Sequence, residues 1–203
     1  MTDFPIFRPE DLDEKRRTLW DRITLGARGF YCGGPQSRRL PDLYNAYLQF
    51  PELGHAVLDV ADGIRANSEL PGRQRELIVL TTSIALGMRV EHDFHVPFAR
   101  DQGFSEDVIA ALGAGDAPPF ETEEDRDVHE ANRQLLQTAT LTDDLRARIV
   151  RRYGYPGLMQ LLGTVMLYVI TAYTTNVAKV ALLDDFSADQ AQLNDFYAGR
   201  PAA

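Results

Sequence analysis

The 203 residues carry 30 acidic against 21 basic side chains, a formal net charge of -9, with 44% hydrophobic and 25% charged residues. This composition is globular and excludes collagen-like, low-complexity and wholly disordered chains. The negative charge has the wrong sign for neutralising nucleic-acid phosphates or lying on an anionic membrane, so neither partner is expected.

The length predicts a single domain, 1–203, with an N-terminal arm to about residue 25 and a tail from about 184. The lone cysteine, Cys32, can form neither an intrachain disulfide, a CxxC pair nor a thiolate zinc site, which predicts a cytoplasmic protein. Residues 11–25, with Leu19, Trp20 and Ile23, predict an amphipathic helix, followed by a loop at Gly26, Gly29, Gly33, Gly34 and Pro35. A helix from Pro41 to Leu48 breaks at Pro51, which starts another through Ala66. Residues 73–86 predict a strongly apolar helix stopped at Gly87, and a short link leads into a helix over 90–102. Gly103 and Ser105 mark the next boundary, with a helix to about Gly113. A Pro-rich acidic connector, 116–124, precedes helices over 125–138 and 142–153. Residues 158–178 carry no charge and have the length of a membrane span. Gln160, Asn176 and the threonines of this stretch favour instead a central helix buried on nearly all sides by its own protein. Residues 184–203 predict a docked arm or frayed end.

The densest titratable cluster is Glu91, His92, Asp93 and His95. Glu91 and His95 are four apart and share a helix face, where a carboxylate can fix the imidazole tautomer and make an acid-base pair. The plain alternative is a solvated face with an ion pair of about 0.3–0.5 kcal/mol. Pro97 predicts a kink just past His95. Glu76, inside the apolar helix beside Leu77 and Ile78, is the other candidate acid, with a polar edge position as its alternative. No HExxH is present and only Glu52 with His55 matches a Glu-x-x-His pair, so no metal is expected; His129, in an acidic stretch, is expected to be exposed. No GxSxG or phosphate loop is present.

ArgGluLeuIleValLeu at 75–80, GluHisAspPheHis at 91–95, then ValProPheAlaArg and Gly103 together resemble the carboxymuconolactone decarboxylase family of the alkylhydroperoxidase-like superfamily. LeuTyrAsnAlaTyrLeu with PheProGluLeu at 50–53 is similar to the N-terminal helix pair of longer members, and Tyr168 and Asn176 fall where relatives carry aromatic and Asn residues. In the redox branch a CxxC precedes the histidine; counted from Glu76, its cysteine places fall on Met88 and Glu91 and its histidine place on His95. With no thiol there, the resemblance points to the decarboxylase branch and away from peroxidase or disulfide-reductase chemistry.

The resemblance implies an all-α fold of helical hairpins assembling as a homo-oligomer, a trimer or hexamer. It implies a carboxy-lyase that works without a cofactor on a small carboxylated lactone or cyclic acid. Glu76, Glu91 and His95 would be catalytic, and His92, Arg73, Arg75, Arg89, Tyr44 and Tyr168 would contact substrate, with three arginines competing for its carboxylate. His92 departs from the commoner aromatic at its place. An isomerase or hydrolase using the same pocket, or a non-catalytic small-ligand-binding oligomer, are the alternatives.

Overall fold

Asp13 begins the first helix, its side chain accepting from the Arg16 N–H and satisfying one free donor of α1, Glu14–Leu25. The computed structural model describes residues 2–66 and 69–181. They gather into two units, residues 2–62 with 173–181 and residues 63–66 with 69–172. The tail expected from residue 184 lies outside the described residues.

In the first unit α1 buries Leu19, Trp20 and Ile23, and the Gly-rich loop leads through a 3-10 turn at Gly34–Gln36 to α2, Asp42–Tyr47. Pro51 opens α3, Pro51–Ala66, as its spacing predicts. Helix α3 lies against α1 and α2 at Gly54, where a Cβ would come within 2.5 Å of Leu19 Cδ2 and 3.0 Å of Tyr47 Cβ. Asn45 is fully buried and ties down the N-terminal arm, accepting from Phe7 N–H at 2.9 Å and donating to the Pro5 carbonyl at 2.9 Å.

The second unit is built around α4, Gly72–Ala85, in which every residue from Gln74 to Ser83 is buried. Helix α4 is followed by α5, Arg89–Asp101; α6, Glu106–Ala114; and α7, Glu123–Thr138. Leu77, Ile78 and Leu80 join Ala99, Phe104 and Val128 in one core, and each of its buried Leu, Ile, Val and Phe side chains contributes about 1.5–3 kcal/mol. Ser105 and Thr122 cap α6 and α7 by accepting from the Val108 and Asp125 N–H groups.

Two buried polar residues strap α7 to α4. Asp125, 1% exposed, accepts from Arg73 at 2.8 Å and from Gln74 at 3.0 Å, and the fully buried Asn132 donates to the Ile78 carbonyl at 3.0 Å. Between α4 and α5 the chain reverses at Gly87, whose φ of 69° is the left-handed region glycine adopts without strain. Helix α5 then continues through Pro97 to Asp101.

The last element, α8, spans Asp143–Ala178 and is broken at Gly154 (φ 66°), just before Pro156, where the sequence separates two helices. By length and composition α8 has one stretch apolar enough to cross a membrane, 56% of it buried. It is not the helix buried on nearly all sides; α4 is. Leu161, Val165 and Tyr168 are buried, whereas Tyr155, Met159, Met166, Tyr173 and Val177 are each more than half exposed. Mean hydropathy could not reveal this asymmetry, because the exposed stripe is as apolar as the buried one.

Candidate active site

The α4–α5 hairpin sets Glu76 beside His95, both within the interior at 3% and 1% exposure. Glu76 Oε2 is 2.7 Å from His95 Nδ1. A carboxylate is an acceptor, so Nδ1 carries the hydrogen, and in the tautomer this fixes the lone pair lies at Nε2. Tyr168, from α8, places its hydroxyl 3.2 Å from Nε2 and is oriented to donate to it. Glu91 Oε2 approaches the same nitrogen at 3.7 Å, beyond hydrogen-bond length.

Aromatic edges wall the imidazole. Phe94, Phe98 and Tyr168 stand with ring centroids 5.5, 5.4 and 5.6 Å from that of His95. Rings at this distance and inclination pack edge to face and hold His95 in one orientation. Burial pushes the Glu91 carboxyl above its ordinary value of 4.5, with His95 pulling partly the other way. The solvated-face alternative for Glu91 and His95 therefore fails, because His95 is buried and held by Glu76 and the Glu91 side chain is only 15% exposed.

The three arginines separate. Arg73 is engaged with Asp125, donates to the Gln102 carbonyl at 3.0 Å and lies 3.7 Å over the Phe104 ring. Arg89 pairs with Asp93 at 3.1 Å and donates to the Gly113 carbonyl. Arg75 is buried, and desolvation lowers its pKa below the ordinary value, with Glu76 and Tyr168 opposing the shift and Arg65 adding to it. His92, 3% exposed, has Nδ1 2.9 Å from Asp93 and its ring against Gly113 of α6, away from the His95 contacts. Tyr44 belongs to the first unit, where its hydroxyl shares a 2.5 Å hydrogen bond with that of Tyr31.

Residues 51–134 match the carboxymuconolactone decarboxylase family. The matched stretch contains Glu76, Glu91 and His95, while Tyr168 lies beyond it. The chain is also similar in fold to a solved structure titled alkylhydroperoxidase AhpD core, an uncharacterized peroxidase-related protein from Ralstonia eutropha JMP134. The TM-score is 0.68 at 15% identity, over 100% of this chain and 98% of that one. No curated protein matches the sequence.

The family stretch contains no thiol: Cys32 lies in the first unit, 3% exposed, with burial pushing its thiol well above 9.0. Met88 occupies the hairpin turn and is 1% exposed. Among the described residues no three His, Cys, Asp or Glu side chains are grouped to hold a metal ion. The Phe94 and Phe98 walls escaped the sequence reading because aromatic residues at helical spacing look like ordinary core. The Tyr168–His95 hydrogen bond joins residues 73 apart, a separation that helical periodicity cannot bridge.

Proposed function

We propose that the chain is a cofactor-independent carboxy-lyase that decarboxylates a small carboxylated lactone or cyclic acid by acid-base catalysis. The observation that carries this reading is the buried chain Glu76–His95–Tyr168 with a second acid, Glu91, 3.7 Å from His95 Nε2. Loss of carbon dioxide from an unsaturated lactone acid breaks the carbon–carboxylate bond and leaves its electron pair as a dienolate. That intermediate needs a hydrogen-bond donor at oxygen and a proton at carbon.

Glu91 is the proton donor in this reading, since burial keeps its carboxyl protonated to higher pH than an exposed glutamate. The proton passes to carbon, and water returns one to the carboxylate. His95 relays the Glu91 proton through Nε2, 3.7 Å from that carboxylate, while Tyr168 turns its single O–H from Nε2 to the developing oxyanion. Glu76 orients His95, and Arg75 faces the substrate carboxylate. A peroxidase reading of the kind the neighbour's title suggests lacks its dithiol here, since the sequence has one cysteine.

The exposed apolar stripe on α8 at Tyr155, Met159 and Met166 supports self-association of the chain. The test of the activity is carbon dioxide release across a panel of carboxylated lactones and cyclic acids. Turnover that His95→Gln reduces by about 10²- to 10⁴-fold supports the reading. Product formed without carbon dioxide makes the pocket an isomerase or hydrolase, and no turnover on any member leaves the non-catalytic binding reading.

A further inference from the structure

A pocket of ≈ 580 Å³ opens between the C-terminal half of α4, α6, the segment after α6, and α7. That volume is typical of small-molecule sites, about 300–1,000 Å³. None of its lining residues belongs to the Glu76–His95–Tyr168 chain. Thr81, its contribution from α4, lies about 140° around the helix from Glu76.

Ile84, Leu112 and Phe120 supply the apolar part of the wall. The polar part comes from one face of α7, because Arg126, His129, Glu130 and Arg133 recur at i, i+3, i+4 and i+7. Arg126 donates to the Phe120 carbonyl at 2.6 Å, and among the described residues no carboxylate lies within ion-pair distance of it. Arg133 has its nearest carboxylate, Glu130, only at 3.6 Å. In a chain of net charge -9, a loosely compensated pair of guanidinium groups on a pocket wall favours an anionic occupant.

His129 is half-buried rather than exposed, with Nδ1 3.0 Å from Thr81 Oγ1 and its ring 5.3 Å from that of Phe120. Burial holds its pKa down at about 4, helped by Arg133 and opposed by Glu130, so the ring is a neutral hydrogen-bonding group at neutral pH.

We infer that this pocket binds a small monocarboxylate with an aromatic or otherwise apolar body. Its carboxylate sits at Arg126, its body against Ile84, Leu112 and Phe120, and His129 serves as an uncharged hydrogen-bond partner. A single negative charge is specified because Asp116 and Glu130 also line the wall and repel a second one. This site stands whether or not the His95 cluster is a decarboxylase site.

Benzoate titrated into the full chain at pH 7, followed by the imidazole Cε1–H resonances of the four histidines, tests it. The His129 signal, assigned with His129→Gln, is expected to move saturably while those of His92 and His95 stay. Arg126→Gln keeps an N–H for the Phe120 carbonyl but loses the charge, and should weaken binding at least about tenfold, as should replacing benzoate with neutral benzamide. Glu130→Gln should tighten binding. The proposal is overturned by the absence of a saturable shift at His129, by movement of His95 in its place, by benzamide binding as well as benzoate, by undiminished binding in Arg126→Gln, or by weaker binding in Glu130→Gln.

Discussion

The carboxylate of Glu76 accepts a 2.7 Å hydrogen bond from Nδ1 of His95, across the two helices of the α4–α5 hairpin. With Nδ1 so occupied, Nε2 is the nitrogen left to meet Tyr168 and Glu91.

On the substrate that the activity screen identifies, His95→Gln is expected to lower kcat by about 10²- to 10⁴-fold. Tyr168→Phe removes the donor to the developing oxyanion and should cost about 10²- to 10³-fold in kcat. Glu76→Gln should cost less than either, since its role is orientation and an amide can still accept from Nδ1. Steady-state kinetics on the three variants, each checked for folding by circular dichroism, decide the order.

Glu91 couples activity to stability in opposite directions. Its folded pKa is raised above the ordinary 4.5, so its contribution to stability is fully present below 4.5 and is lost as pH rises through the raised value. Glu91→Gln is therefore expected to have a higher Tm than the parent at pH 8, the difference shrinking toward pH 4.5, while its turnover drops. Thermal melts over that pH range measure the first effect and initial rates the second.

His129 contributes with the reverse pH dependence. Its folded pKa of about 4 lies below the ordinary 6.5, so the stability it lends is present above 6.5 and lost as pH falls toward 4. Discounted for the partial exposure of the ring, the effect is about 1–2 kcal/mol. Urea denaturation at pH 7 and pH 4.5 should show a smaller loss of stability in His129→Gln than in the parent.

Asp125 accepts from Arg73 and Gln74 in a site only 1% exposed. Asp125→Ala leaves those donors without their acceptor and should destabilise the chain by about 3 kcal/mol. The readout is the urea midpoint at unchanged m-value.

Self-association through α8 predicts a mass well above 22.8 kDa in light scattering at micromolar concentration. Met159→Glu with Met166→Glu places charges on the exposed stripe and should return the mass to that of one chain. A parent that already scatters as a single chain removes the proposal.

Local spacing made the helices legible in sequence. Capping residues such as Ser105, breakers such as Pro51 and Gly87, and the i, i+4 placement of Glu91 and His95 act within a few residues of one another, where helical geometry dictates the outcome. The separation of the long apolar segment at Gly154 was legible for the same reason. The state of each polar group was decided in three dimensions. Arg73, Arg75 and Arg89 are equivalent in sequence, yet Asp125 engages one, Asp93 another, and the interior encloses the third. His129 lies in an acidic stretch that reads as solvated, but the fold sets its ring against Phe120 and Thr81. Tyr168 reaches His95 only because α8 packs beside the α4–α5 hairpin. Hydrogen bonding and desolvation act over a few ångströms between residues distant in the chain, so tertiary packing alone determines which ionisable groups meet and which of them lose water.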